Sequence, residues 1–292
     1  MSNNTLFIGL GVMGYHMASH LSKIVPTSVY NRSPEKTDAW LIDFNGSRVD
    51  ILHTPLNNFD FIITCIGNDE DLREVYLSET GLINNSKAGT ILIDHTTASA
   101  SIAREIAKRA IEKNLHFIDA PVSGGEQGAI NGQLTIMCGG EETAFKQATP
   151  IMNNYAQAVT LLGKNGAGQL TKMSNQLAVA GVVQGLAEAI HFAEQAGLDC
   201  HQVIDVISKG AAQSWQMENR SDTMINGEYE HGFAVDLMRK DLNICLSEAR
   251  NLGAKLPVTA LIDQFYADIQ DMGGNRWDTS SLLERLRTKL KP

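Results

Sequence analysis

The sequence predicts an α/β chain: an N-terminal doubly wound sheet of parallel strands, followed by an all-α C-terminal domain, the two joined by a long helix. Three observations predict it. Short β-rich apolar runs alternate with helical segments through the first half of the chain, the pattern of strands connected by crossover helices. The strand signal stops after Gly163. A proline-free stretch at 168–196 then opens a remainder that reads as helical to its end; at 1.5 Å per residue such a helix is about 40 Å long. The chain has 292 residues, which at ~100–200 residues per domain predicts two domains. We place them at 1–163 and 164–292.

The expected strands are 5–10, 28–30, 61–66, 90–94, 117–119, 134–137 and 159–162. Several are continuously apolar rather than alternating, as strands covered by helices on both faces must be. A helix is expected at 101–113, where Ile102, Ile106, Ala110 and Ile111 recur at helical spacing. Beyond the long helix, further helices are expected at 200–208, 236–252 and 257–272. A last one opens at Ser281 with Glu284 three residues on, which is capping-box spacing. Trp215, Met217, Phe233 and Met238 are read as core.

Composition narrows the function classes. With 33 acidic against 24 basic side chains the net charge is −9, and such a surface repels phosphate backbones. Nucleic acid is therefore not expected as a partner. The longest apolar runs, such as 61–66, fall short of the ~18–20 residues that span a bilayer, and no signal-peptide pattern opens the chain. No membrane partner and a cytoplasmic location are expected. Cys65, Cys138, Cys200 and Cys245 lie far apart without a C-x-x-C pair, which suits small core hydrophobes in a reducing compartment. His16 and His20 are four apart but lack the glutamate and third ligand of a metal site. They are read as a solvated helix face, and no metal is expected.

Gly9-Leu10-Gly11-Val12-Met13-Gly14 follows the first strand and opens a helix, the context of a dinucleotide-binding Rossmann-type turn. Gly9 permits the tight turn, Gly11 lets the backbone approach a pyrophosphate, and Gly14 lets the helix pack closely. The helix N-terminus adds amide donors and a positive dipole. At the end of the second strand a site selective for NAD carries an acidic side chain for the ribose 2′-hydroxyl. This chain has Asn31-Arg32-Ser33. A guanidinium flanked by polar donors suits a 2′-phosphate, so NADP(H) is expected over NAD(H).

Three further motifs carry the chemistry. Asp119-Ala120-Pro121-Val122-Ser123-Gly124-Gly125 lies at a strand end, where α/β sheets place ligands; Ser123 offers a hydroxyl, and Gly124 and Gly125 let successive amides face an anion. Gly166-Ala167-Gly168-Gln169-Leu170-Thr171-Lys172-Met173-Ser174-Asn175 opens the long helix, and Lys240-Asp241-Leu242 lies in a later one. Lys172 and Asn175, three apart, share a helix face.

With these four motifs in this order, nearly the whole chain resembles the β-hydroxyacid dehydrogenase family, which includes 3-hydroxyisobutyrate dehydrogenase and tartronate semialdehyde reductase. The resemblance implies that Lys172 is the catalytic lysine. It implies that Ser123, Gly124, Gly125 and Asn175 hold the substrate carboxylate and hydroxyl, and that Lys240 lies by cofactor and substrate. Thr97 and the Cys65-Ile66-Gly67 loop match segments on the nicotinamide side. The residue types agree with this chemistry. Hydride transfer to or from a nicotinamide leaves one proton to move on or off the substrate oxygen. A lysine's ordinary pKa is about 10.4, so its ammonium can protonate the alkoxide formed on reduction. Oxidation needs the neutral amine, hence burial or a neighbouring cation, for which Lys240 is the candidate.

Two departures bear on substrate and cofactor. Where many members carry a proline after the fourth strand, this chain has Gly67 followed by Asn68-Asp69-Glu70-Asp71. The helix reads Asn175-Gln176, as in the tartronate semialdehyde reductase branch, rather than a double asparagine. The expected substrate is a small carboxylated aldehyde, a semialdehyde or glyoxylate, or the corresponding hydroxy acid. Two alternatives keep the fold: an imine reductase-like enzyme, whose family usually lacks a lysine at the position of Lys172, and a non-catalytic dinucleotide-binding scaffold. 6-Phosphogluconate dehydrogenase shares the N-terminal layout, but its helical domain is much larger. The apolar long helix implies surface that the helical half must bury between copies, so a homodimer or homotetramer is expected.

Overall fold

The run Thr5–Ile8 is buried at all four positions, because the strand it forms lies inside a sheet with helices on both faces. The computed structural model describes residues 3–51 and 54–288, and the chain divides into two units, Met1–Lys172 and Met173–Pro292. The first unit carries β1 (Thr5–Ile8), β2 (Thr27–Tyr30), β3 (Ser47–Arg48), β4 (Phe61–Thr64), β5 (Ile91–Asp94), β6 (His116–Asp119), β7 (Val122–Ser123), β8 (Leu134–Gly139) and β9 (Ala156–Gly163). Its helices are α1 (Val12–Ser22), α2 (Pro34–Asp43), α3 (Asp69–Leu72), α4 (Leu82–Asn85), α5 (Ala100–Glu112), α6 (Gly125–Ile130) and α7 (Glu142–Met152).

Strand order is β3-β2-β1-β4-β5-β6-β8-β7, with β9 paired to β8. Strands β1 to β6 are mutually parallel, and the order reverses at β1, the doubly wound arrangement. Side chains of successive residues go to opposite faces. Phe7, Ile63, Ile93 and Ile118 join Met17 and Trp40 in one core, whereas Leu6, Ile8, Ile62, Leu92 and Phe117 join Ile102 and Ile106 in the other. At ~1.5–3 kcal/mol for each fully buried large apolar side chain, these two layers hold the sheet.

The parallel expectation needs one correction. β8 runs antiparallel to both β6 and β7, so the sheet is mixed at that end. The connection from β7 to β8 holds only the six-residue α6 and short turns, too little chain for the crossover of a dozen or more residues that parallel pairing needs. β3 and β7 were not anticipated; at two residues each they are too short to show a period. Helix α5 buries Ile102, Ile106 and Ala110 as expected, but Ile111 is exposed. His20 is not a solvated side chain: its Nε2 lies 3.1 Å and 3.0 Å from the carbonyl oxygens of Ala129 and Ile130 at the end of α6.

The long helix α8 (Ala167–Gln195) crosses the division between the units, and α9 (Cys200–Ile207), α10 (Trp215–Asn226), α11 (Val235–Leu252), α12 (Pro257–Asp271) and α13 (Leu282–Arg287) follow. The second unit's core gathers Val183, Ala187 and Ile190 of α8 with Met238, Leu242, Ile262 and Tyr266. By length and composition alone α8 is long and apolar enough to cross a membrane, with an 18-residue window of mean hydropathy 1.2, contrary to the expectation that no stretch reaches that length. Ala180, Val183, Leu186, Ala187 and Ile190 enter a protein core and Gln176 and Gln184 are buried along it, while Val182 and Phe192 are exposed.

Helix α10 was missed because its sequence is mostly polar, yet it buries Met217, Ser221 and Met224 at helical spacing. Met217 and Met238 are core as expected, Phe233 is half-buried against that core, and Trp215 is exposed. The expected capping box at Ser281 does not form. Ser281 is itself helical and makes no side-chain cap, while the cap belongs to Asp278, whose carboxylate accepts from the Ser280 amide in the preceding 3₁₀ turn. Of the cysteines, Cys138 and Cys245 are buried, but Cys65 and Cys200 are only partly so.

Candidate active site

The turn after β1 is built on close approach. Gly9 has φ +98°, and a Cβ there would lie 2.2 Å from the Cys65 carbonyl oxygen. A Cβ at Gly14 would lie 1.9 Å from the Gly9 oxygen, so only glycine lets α1 start this near the strand. At Gly11 a Cβ would meet nothing within 4 Å; the backbone there faces open space, as a pyrophosphate requires. The Leu10 amide donates to Asn31 Oδ1 at 2.8 Å, which ties the turn to the end of β2. Val12, at the exposed start of α1, and Met13, half-buried, complete the fingerprint.

A cavity of about 570 Å³ opens beside this turn, lined among others by Gly9, Gly11, Asn31, Arg32, Ser33, Lys36, Cys65, Ile66, Gly67 and Asp71. The set fits a dinucleotide: an open glycine turn and a helix N-terminus, with the cations Arg32 and Lys36 in a cleft that also carries the carboxylates of Asp71 and Glu74. Arg32 is 83% exposed and pairs with Asp71 at 3.2 Å. The Ile66 amide donates to Thr96 Oγ1 at 3.0 Å, which joins the loop after β4 to the turn that carries Thr97.

That turn is fixed by buried polar groups. Asp94 Oδ1 accepts from the Thr64 hydroxyl at 2.7 Å and from the Thr96 amide at 3.1 Å. His95 is buried between the Ala120 carbonyl, 2.6 Å from Nδ1, and the Tyr155 hydroxyl, 2.8 Å from Nε2; burial lowers its pKa to about 4. Gln169, fully buried, donates to the Thr96 carbonyl at 2.7 Å and accepts from the Ala98 amide at 3.0 Å. Asp119, at the end of β6, accepts from the Gly166 amide at 2.8 Å and the Gln169 amide at 3.1 Å. Burial pushes its carboxyl up to about 7, against the pull of those amide donors. The start of α8 is thereby clamped to the strand ends, and Lys172 follows one turn later, 8% exposed.

Ser123 closes β7 and is half-buried, while Gly124 and Gly125 are exposed with φ +127° and +62°. In the second unit a chain of side chains links two of the expected positions, Asn175 and Lys240. The Asn175 amide donates to Gln176 Oε1 at 2.8 Å, and Gln176 Nε2 donates to Asp241 Oδ2 at 2.7 Å. Lys240 Nζ lies 3.3 Å from Asp241 Oδ1. Asp241, buried, thus anchors both Lys240 and the residue that holds Asn175. Among the described residues no group of three or more His, Cys, Asp or Glu side chains is placed to hold a metal.

Comparison with known proteins decides the family. The NAD binding domain of 6-phosphogluconate dehydrogenase matches residues 4–163, and the NAD-binding domain of NADP-dependent 3-hydroxyisobutyrate dehydrogenase matches residues 166–286. The chain belongs to the β-hydroxyacid dehydrogenase family. The 2-hydroxy-3-oxopropionate reductase of Escherichia coli is 32% identical, over 96% of this chain and 96% of its own. An uncharacterized oxidoreductase of Shewanella frigidimarina is 57% identical over 96% of this chain and 97% of its own. The solved 3-hydroxyisobutyrate dehydrogenase of Mycobacterium tuberculosis, with L-serine, superposes at a TM-score of 0.88 with 27% identity, covering 99% of this chain and 100% of that one.

Within this β-hydroxyacid dehydrogenase chain, several residues at the candidate site were not anticipated. Lys36 lines the cleft with Arg32, and its three-residue spacing from Ser33 at a helix start was a signal available to sequence reading. Asp119 heads the motif Asp119 to Gly125, whose spacing assigns it no role of its own. Gln169, Gln176 and Asp71 stand in segments the sequence singles out, but their partners do not show there, because a buried glutamine or a cross-cleft carboxylate leaves no pattern in sequence spacing.

Proposed function

We propose that this chain is an NADP(H)-dependent oxidoreductase that interconverts a small carboxylated aldehyde, of semialdehyde or glyoxylate type, with its hydroxy acid. When bound, the dinucleotide supplies a nicotinamide that gives or takes hydride. Gly9, Leu10, Gly11, Val12, Met13 and Gly14 present the turn and helix N-terminus to the pyrophosphate, and Asn31, Arg32 and Ser33 take the 2′-phosphate. Cys65, Ile66, Gly67, Thr97 and Lys240 serve the nicotinamide side. Ser123, Gly124, Gly125, Asn175 and Lys240 bind the substrate's carboxylate and hydroxyl. Lys172 protonates the developing alkoxide on reduction and removes the hydroxyl proton on oxidation.

One observation carries the reading. A lysine is buried on a helix whose first turn is held by Asp119 and Gln169, in a chain whose β2 end offers Arg32 where a carboxylate would select NAD. The reading places nucleotide binding in 1–163 and substrate binding and self-association in 164–292. It also places a homodimeric or homotetrameric enzyme in the cytoplasm, with neither nucleic acid nor membrane as partner.

The test is a panel of succinic, tartronic and methylmalonic semialdehydes and glyoxylate, followed by nicotinamide absorbance with NADPH and with NADH. Turnover of at least one of these, with a lower KM for NADPH than for NADH, is expected. Turnover of none, or a KM for NADH equal or lower, refutes the corresponding half of the proposal.

A further inference from the structure

In the segment Gly67 to Asp71, the side chains of Asn68, Asp69 and Asp71 each have a separate task. Asn68 caps α3 by accepting from the Asp71 amide at 2.9 Å. Asp69 anchors the segment to the start of α5, accepting from the Ser99 amide at 2.9 Å and the Ser99 hydroxyl at 2.5 Å. Asp71 is left to reach across the cavity to Arg32, and its carboxylate is 26% exposed against 83% for the guanidinium. A Cβ at Gly67 would lie 2.1 Å from Asp71 Oδ2, so glycine at that position is what lets the carboxylate point this way.

We propose that Asp71 moderates the dinucleotide preference of this enzyme by competing with a ribose 2′-phosphate for Arg32. This rests on the NADP(H) reading above. A 2′-phosphate that takes Arg32 displaces Asp71 and leaves a carboxylate facing an anion, an arrangement like-charge repulsion opposes. A ribose with a free 2′-hydroxyl leaves the Arg32–Asp71 pair intact. It also finds, from the opposite wall of the cleft, the kind of carboxylate acceptor that β2 lacks. Asp71 therefore narrows the gap between the two cofactors that Arg32 and Lys36 open.

The experiment titrates the full chain with adenosine 2′,5′-bisphosphate and with 5′-AMP by calorimetry, for wild type, Asp71→Asn, Asp71→Glu and Arg32→Ala. The Asp71 backbone amide, which holds α3's cap, is unchanged in these Asp71 variants. Asp71→Asn is expected to tighten bisphosphate binding roughly three- to tenfold, in the range expected of an exposed charge pair plus the removed repulsion, with 5′-AMP unchanged or weakened. Asp71→Glu, which keeps the charge, should stay within about twofold of wild type in the ratio of the two affinities. If Arg32→Ala weakens the bisphosphate alone but Asp71→Asn leaves the ratio unchanged, the NADP(H) reading stands and the role of Asp71 is overturned. If wild type binds both nucleotides equally and Arg32→Ala changes neither, the NADP(H) reading falls and this inference with it.

Discussion

At the scale of single residues, two buried ionisable groups make opposite demands on pH. Burial lowers His95 from 6.5 to about 4, so between those values the unfolded chain binds the extra proton and stability rises with pH. Asp119 is raised from 3.8 to about 7; in that window the folded chain holds the extra proton and stability falls as pH rises. At ~1.4 kcal/mol per unit, the two amount to about 3–5 kcal/mol each, and between pH 4 and 6.5 the two slopes offset one another. Urea unfolding midpoints should therefore expose each slope only when the other group is removed. Asp119→Asn should lose stability steadily from pH 6.5 down to 4, whereas His95→Gln should gain it from pH 7 down to 4. Profiles parallel to wild type in both variants would contradict these assignments.

At the scale of elements, what was legible in the sequence depended on whether a residue's task is local. The strand at residues 5–8 and the α5 stripe of Ile102, Ile106 and Ala110 could be read from their own neighbourhoods, since burial on both faces or on one stripe dictates composition directly. The glycine turn was legible because close approach admits only one residue type at Gly9 and Gly14. Two-residue β3 and β7 carry too little chain to show a period, and the antiparallel turn of β8 follows from the shortness of α6 rather than from β8's own residues. At the candidate site the same division holds. Lys172, Asn175 and Lys240 stand in spaced motifs, but Asp119, Gln169, Gln176 and Asp71 act on partners 25 or more positions away, from 39 for Asp71 with Arg32 to 73 for Gln169 with Thr96. Such a partner is set by topology. The failed cap at Ser281 is the converse lesson: spacing alone matched, while Asp278 three residues earlier held the amide.

For the whole molecule, the −9 charge is a bulk property that coexists with a cleft carrying Arg32 and Lys36. The helical unit also exposes large apolar side chains that a lone chain would leave in water: Phe192 is 73% exposed and Val206 70%. A contiguous apolar patch marks association, and the proposed dimer or tetramer requires such side chains to be buried between copies. Size-exclusion chromatography with light scattering should return a mass at least twice the 31.8 kDa of one chain, and a species at that single-chain mass at micromolar concentration would contradict self-association. The chemistry proposed for the molecule converges on one side chain. The most direct test compares wild type with Lys172→Ala for NADPH-dependent reduction of the best semialdehyde, alongside NADPH binding by fluorescence titration. The account predicts a fall in kcat of roughly 10²–10⁴-fold with NADPH affinity within about twofold of wild type; turnover retained in a variant that binds NADPH normally would contradict it.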